Sequence, residues 1–432
     1  MAGTDVERVV LVTARRRVAV VGSGVSGLTA AYVLQKVCDV TLFEADDRLG
    51  GHAHTHDVAA GGRMFGVDSG FIVHNDRTYP LLRRLFSELG VATQETEMSM
   101  SVRCGGCGLE YAGAKGLYGL LARPANLTDL RFVPMLAQVR RFHRQARALL
   151  KAPAVGTEPT LGEFLAAGGY SEHFTAHFVV PLVSAVWSCG PHLVRAYPAR
   201  YLFTFLANHG MLSVKGSPVW RTVVGGSRTY VDLITKQITD VRTSTPVRSL
   251  VRAGSGVQVH DLTGDAHVFD AVVVATHADQ ALKLLAEPTS VEREVLGAFG
   301  YARNHTVLHT DARLLPRRAA ARASWNYFLP GCAPAAGDVL VSYDMDRLQR
   351  LDGGPGFVVT LNGGARLDPD AVVARMSYRH PVYTPATLVA QRRLPELDDG
   401  RIVFAGAYHG WGFHEDGCRA GVAAAARLGA SW

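Results

Sequence analysis

Gly22, Gly24 and Gly27 stand at G-x-G-x-x-G spacing in "RVAVVGSGVSGLTAAYVLQK", and a carboxylate, Glu44, follows at the end of "DVTLFEA". The first glycine permits a tight turn, the second lets backbone approach a pyrophosphate, and the third lets a helix pack closely on a strand. The helix that follows, Leu28 to Gln35, is expected to point its N-terminal amides at phosphate oxygens. Glu44 falls where a carboxylate accepts hydrogen bonds from a ribose hydroxyl pair. The glycine spacing alone is a weak signal. Strand, glycines, helix, strand and acid together fill about 30 residues, the length of a βαβ unit. The chemistry they imply is dinucleotide binding.

Other reactive side chains are read more plainly. His52, His54 and His56 follow the glycine pair Gly50-Gly51 with the alternate spacing of a metal tract. Beside that pair, His52 is expected to face pyrophosphate or cofactor, and no metal is expected. Cys104 and Cys107 form a CxxC in "RCGGCG". A lone CxxC lacks the second pair of a structural zinc site, so it reads as a hairpin turn with incidental thiols. Six cysteines in 432 residues make no disulfide framework and suggest a reducing compartment.

The elements that position these groups follow from patterning. Val18–Val21 is a short apolar run, as in a parallel strand buried on both faces. The net charge of +7 comes mainly from arginine. It forms no clustered stripe and accompanies no nucleic-acid module, which excludes that partner class. No stretch reaches the roughly 18 apolar residues of a membrane span. The first residues read as a lead-in to a buried strand rather than a signal peptide, so a cytoplasmic protein is expected.

Further segments carry a resemblance. "EADDRLGGHAHT" and "FGVDSGFIVHN" are similar to the pyrophosphate and flavin segments of the flavin amine oxidase, phytoene desaturase and protoporphyrinogen oxidase superfamily. "TPVRSLV" with "FDAVVVATHADQAL", and "RIVFAGAYHGWGFHEDGCRAGVAAAARL", resemble its adenine-side excursion and its C-terminal flavin motif. The resemblance implies FAD. It places Gly22, Gly24, Val25, Ser26, Gly27, Glu44, Ala45, Arg48, Gly50, Gly51, His52, Val247, Gly406, Ala407, Gly412, Phe413 and His414 on the cofactor. It also implies that Trp411, Phe413 and His414 lie against the ring, with His414 as a proton carrier. Helix capping and loop packing are the other reading of that segment.

"FVVPLVSAVWS", "WRTVVGGSRTYV", "YRHPVYTP" and "GFHEDG" resemble a bacterial group of NAD/FAD-binding proteins termed amine oxidases. Its members often sit beside cyclopropane-fatty-acid-synthase-type methyltransferases. This implies a fatty-acyl or other lipid substrate, contact with the inner membrane surface, and a lipid-modifying enzyme as partner. Three positions depart from amine oxidases: Gly51-His52 replaces "GGR", Tyr408 stands at a glutamate position, and Phe413 at a tyrosine position.

The expected fold is α/β: a discontinuous Rossmann-like FAD domain of glutathione-reductase type with an α+β substrate domain. FAD-domain parts are expected at 16–75, 220–291 and 395–432. Substrate-domain parts are expected at 76–219, mostly helical, and 292–394, an antiparallel sheet. "TDLRFVPMLAQVRRFHRQARALLK" is a basic amphipathic helix, suited to a cap or a membrane surface. "KAPAVGTEPT" and "PGCAPAAGD" read as linkers. Trp187, Asn208, His209, Trp220, Trp325 and Tyr327 are the candidate pocket residues. The leading expectation is a dehydrogenase or desaturase moving hydride from an acyl chain to flavin. An amine or amino-acid oxidase, a double-bond isomerase and a flavin-bearing accessory subunit remain alternatives.

Overall fold

The computed structural model describes residues 15–154, 158–213, 216–333 and 337–432. Most of the N-terminal lead-in and part of each expected linker lie outside the described residues.

Arg16–Val21 is the centre of a five-stranded parallel sheet. Cys38–Phe43 and then Asp240–Arg242 lie on one side, and Ala271–Val274 and then Ile402–Phe404 on the other. Val18, Ala19 and Val20 are wholly buried, as the apolar run requires when helices cover both faces. Helix Val25–Leu34 is buried on every side, because helix His414–Arg427 covers the face turned from the sheet. Glycines set their closeness. A Cβ on Gly421 would lie 2.3 Å from the Ser26 carbonyl oxygen, and one on Gly417 would lie 2.6 Å from Val25 Cγ1. Glu415, in the first turn of helix His414–Arg427, accepts the Leu81 and Leu82 N–H groups at 3.1 and 3.0 Å. It thereby caps helix Pro80–Leu89, which carries no N-terminal side-chain cap of its own.

A seven-stranded sheet stands over the first. From one edge its order is Val372–Val382, Gly300–His309, Val358–Leu361, Val341–Asp344, Trp325–Leu329, Met100–Cys104 and Glu110–Ala112. It corrects two expectations. Trp325–Leu329 pairs with Met100–Cys104 in parallel, so the sheet is mixed rather than antiparallel. The segment expected to be mainly helical also supplies strands Thr93–Glu95, Met100–Cys104 and Glu110–Ala112. These strands are too short for periodicity to mark, and Met100–Cys104 finds its parallel partner more than 200 residues away.

Three helices close the cap: Phe132–Lys151, a run from Glu172 to Trp187 containing one π-helical turn, and Ala199–Asn208. Phe142 is their hub. The rings of Phe164, Tyr170, Phe174, Phe178 and Phe203 surround it at 5.4–6.2 Å. Truncating such a side chain costs about 3–5 kcal/mol. Arg140, Arg144 and Arg147 form the outer face of the same helix. Among the described residues no helix is long and apolar enough to cross a membrane.

Candidate active site

The glycine turn opens into a cavity of about 730 Å³ that runs from the parallel sheet to the cap. Gly22 has φ +100°, and its Cβ would lie 2.9 Å from the Ala275 carbonyl oxygen. Gly27 is constrained more tightly: a Cβ there would lie 1.9 Å from the Gly22 carbonyl oxygen. It builds the turn and does not line the cavity. Gly24 does line it, and a Cβ there meets no protein atom within 4 Å. Gly51 packs against this residue, its Cβ position 3.1 Å from Gly24 Cα.

Ser23, unremarked in the sequence, ties these parts together. Its N–H donates to Glu44 Oε2 at 2.9 Å, its hydroxyl donates to the same oxygen, and it accepts the Gly50 N–H at 3.1 Å. Gly50 is therefore a strut and not a lining residue. Glu44, Ala45, Asp46 and Arg48 line this end of the cavity, with Thr245 and Val247 beside them.

The residues fit a dinucleotide on three counts. Helix Val25–Leu34 starts without a side-chain cap, so its first amides are free to meet an anion. The two glycines leave open the space that a Cβ would fill. Buried polar atoms with no protein partner, His52 Nε2 and Tyr408 OH, belong to residues that line the same cavity.

Next to Gly51 the cavity holds a histidine–tyrosine group. The ring of His52 lies 5.1 Å from Tyr378, 5.4 Å from His380 and 6.1 Å from His277. Tyr378 OH meets Ser69 Oγ at 2.6 Å and His54 Nδ1 at 2.9 Å, and His54 stacks on His56 at 4.1 Å. Burial lowers His52 to about 4 and His277 and His380 to about 3, so all three are neutral at pH 7. His277, Tyr378 and His380 were not singled out in the sequence, although "VVVATHADQAL" and "YRHPVYTP" contain them.

Loop 410–413 forms one wall. Tyr201 OH, Tyr383 OH and Gln391 Nε2 all donate to the Gly410 carbonyl at 2.8 Å. Asp416 accepts the Phe413 N–H at 3.0 Å, and Trp187 Nε1 donates to the Trp411 carbonyl at 3.2 Å. Phe413 stacks on Phe205 at 4.6 Å, and Trp187 lies 4.8 Å from Phe205. Gly406, Ala407, Trp411, Gly412 and His414 also line the cavity. His414 stacks flat on Phe71 at 3.7 Å and meets Tyr230 OH at 3.2 Å. Burial holds it well below the usual histidine range. It is therefore neutral at pH 7, packed between Phe71 and Tyr230.

Of the expected pocket residues, Trp187, His209, Trp220 and Trp325 line the cavity. Asn208 and Tyr327 do not. Asn208 ends its helix beside His209, and Tyr327 is buried in the core between sheet and cap. The CxxC lies away from this cavity and is considered below.

The profile of the family described as flavin containing amine oxidoreductase matches residues 25–309. Coproporphyrinogen III oxidase of Mycobacterium leprae (strain TN) is 26% identical over 290 residues, 63% of this chain and 62% of that protein. The chain thus spans less than two thirds of that relative's length. Among solved structures, cyclohexylamine oxidase from Brevibacterium oxydans IH-35A has a TM-score of 0.68 at 17% identity, covering 96% of this chain and 98% of its own. A CLA-producing fatty acid isomerase from P. acnes has 0.64 at 15%, covering 94% and 97%. At these identities the two structures share the fold.

Proposed function

The chain belongs to the flavin-containing amine oxidoreductase family, with FAD as its cofactor, and from that premise we propose that it oxidises a long apolar substrate, an acyl chain of a lipid. The fold cannot choose the substrate, since one architecture serves an amine oxidase and a fatty acid isomerase. The chamber wall supports the choice. Met98, Trp187, Phe205, Met211, Trp325 and Trp411 line it. Among the described lining residues the only carboxylates are Glu44 and Asp46, both at the sugar end. An ammonium group would find no counter-ion beside the aromatic wall, whereas an alkyl chain would lose water there at about 25 cal/mol per Å².

Bound FAD supplies a two-electron acceptor for a hydride leaving a C–H bond. The protein's part is to hold and to exclude. The amides of Val25 and Ser26 would hold the diphosphate, and Glu44 would hold the sugar. His52, neutral and with Nε2 unpartnered, offers one hydrogen-bonding atom toward the cofactor. Trp411 and Phe413, fixed through Gly410 and Asp416, keep the reacting carbon dry and oriented. Hydride departure from one carbon is matched by loss of a proton from its neighbour, and the neutral histidines around the chamber, His52 with its unpartnered Nε2 among them, are groups able to accept it.

A lipid substrate requires access to a membrane, and one stretch of the cap is suited to it. Leu117, Tyr118, Leu127, Leu130 and Val133 are all exposed, Leu130 by 90%. Arg123 and Arg131 lie among them, and the outward arginines of helix Phe132–Lys151 follow. Apolar side chains flanked by cations are the composition of an interfacial contact with anionic lipid.

The deciding experiment incubates the FAD-loaded protein anaerobically with phospholipids bearing unsaturated, methyl-branched or cyclopropanated chains. Flavin bleaching with a loss of two hydrogens from the lipid is the expected result. Bleaching by amines and by none of these lipids overturns the substrate assignment. A shifted double bond at unchanged mass selects the isomerase alternative.

A further inference from the structure

The CxxC turn that lacked a second pair in the sequence acquires two partners in the fold. Cys104 ends strand Met100–Cys104, Cys107 lies in the turn that follows, and Cys332 comes just after the paired strand Trp325–Leu329. His177 reaches them from the π-helical turn Thr175–Val179 of the cap. The three sulfurs and one His177 ring nitrogen all lie within 4.8 Å of one another.

Two of the separations match the edges of a tetrahedral site. Cys104 Sγ and Cys332 Sγ are 3.8 Å apart, and Cys107 Sγ and His177 Nε2 are 3.7 Å apart. Zinc–sulfur bonds of about 2.3 Å at tetrahedral angles put sulfurs about 3.8 Å apart, whereas a disulfide needs about 2.0 Å. The surroundings are those of ligands. His177 Nδ1 lies 3.1 Å from the His173 carbonyl oxygen, which fixes the tautomer that leaves Nε2 a lone pair for the cluster. The N–H groups of Gly106 and Cys107 are directed at Cys104 Sγ, and that of Leu109 at Cys107 Sγ. Arg123 donates to the Cys107 carbonyl at 3.1 Å, placing a cation beside the group.

The two residues between the cysteines are glycines for a local reason. A Cβ on Gly106 would lie 2.9 Å from Cys332 N and 3.0 Å from Cys332 Sγ, and one on Gly105 would lie 2.9 Å from the Pro330 carbonyl oxygen. The turn is bare so that the loop bearing the third cysteine can seat on it. A hairpin with incidental thiols has no need of that fit.

We propose that Cys104, Cys107, Cys332 and His177 bind one structural zinc ion. The three thiols bind as thiolates and release their protons to solvent, and the imidazole binds neutral. Four protein ligands close the coordination sphere, so the ion is not a catalyst. Its effect is mechanical. The helical run that carries His177 ends at Trp187, on the chamber wall, and the strand that precedes Cys332 begins at Trp325, on the same wall. The ion fastens cap helix to sheet edge behind the chamber. Cys332 is exposed and gives the metal a way in. This assignment is independent of the substrate proposed above.

The test is metal analysis of the full-length, untagged, FAD-loaded protein, purified with a thiol reductant and no chelator, then reconstituted with zinc chloride and desalted. About one zinc per chain is expected, falling at least roughly tenfold in Cys107→Ser and in His177→Ala. Cys332→Ser, at an exposed position, keeps the test valid if the buried variants fail to fold. Cobalt in place of zinc is expected to give the intense visible bands of a tetrahedral thiolate site, weakened in Cys332→Ser. Wild-type protein with less than about a tenth of an equivalent of zinc overturns the proposal, as do variants that keep their zinc. A disulfide mapped between any two of the three cysteines in freshly reduced protein also overturns it.

Discussion

The indole N–H of Trp187 donates to the main-chain carbonyl of Trp411 at 3.2 Å, joining the last turn of a cap helix to the loop that faces the cofactor. Trp187 is nearly buried, so the bond has little competition from water. With the bond from Tyr201 to the Gly410 carbonyl it ties the cap to that loop. Trp187→Phe keeps an aromatic ring and removes the donor. The expected result is a KM for the acyl substrate raised roughly fivefold, equivalent to about 1 kcal/mol, with flavin content and kcat little changed. Steady-state kinetics with a lipid substrate, alongside the flavin absorbance ratio, checks it.

Two glycines of one motif would be hard to rank by sequence, yet Gly24 and Gly27 fail differently. A Cβ at Gly24 meets no protein atom, and the residue's φ of −63° suits alanine. Gly24→Ala is expected to fold with stability within about 0.5 kcal/mol of the parent while losing flavin affinity at least roughly tenfold, because the methyl occupies cofactor space. Gly27→Ala drives a Cβ into the Gly22 carbonyl and is expected to destabilise the fold by about 2 kcal/mol or more. Urea unfolding of the apoproteins and FAD titration separate the two.

Acid should weaken the fold. Burial holds His52 at about 4 and His277 and His380 at about 3, against about 6.5 in an unfolded chain. Between pH 6.5 and 4 the unfolded chain binds protons that the folded chain refuses, so stability falls as pH falls through that window. His143, His209 and His309, also lowered to about 4 by burial, act in the same sense. Asp68 and Asp416 oppose them. Burial pushes both up to about 6, so each adds stability as pH falls from 6 toward 4. The histidines outnumber them and are shifted further, and the net effect is loss. His380→Gln is expected to reduce the stability lost between pH 7 and pH 5 by about 2 kcal/mol. Denaturant unfolding of both proteins across that range measures it.

The parallel sheet and the glycine turn were legible because their determinants are local. Gly22, Gly24, Gly27 and Glu44 act within one βαβ unit, and each position follows from the turn it must make. The aromatic loop Trp411–His414 was legible by resemblance alone, which gave no sign that His414 lies stacked on Phe71. Asn208 and Tyr327 show the limit of composition: an aromatic or amide in an apolar run fits core and pocket equally well, and only register decides. His380 and Tyr378 were out of reach because their partners, Asn304, Ser69 and His52, come from distant strands. Cys332 was further out of reach, since its tie to Cys104 is made by strand pairing across more than 200 residues.

Membrane contact is the remaining expectation that the surface makes testable. Leu117, Leu127 and Leu130 are exposed within one short stretch, next to a helix whose outer face carries Arg140, Arg144 and Arg147. A buried leucine contributes about 1.5–3 kcal/mol when it leaves water, and each arginine near an anionic surface about 1 kcal/mol. Either set alone is expected to give weak attachment, and the two together reversible binding. Leu117→Glu with Leu130→Glu is expected to abolish sedimentation with vesicles containing phosphatidylglycerol. Raising salt is expected to weaken the parent's binding without eliminating it. Neither position lines the chamber, so turnover of a detergent-dispersed substrate should be unchanged, while turnover of vesicle-borne substrate falls. Equal sedimentation of parent and double variant would place the lipid contact elsewhere on the cap.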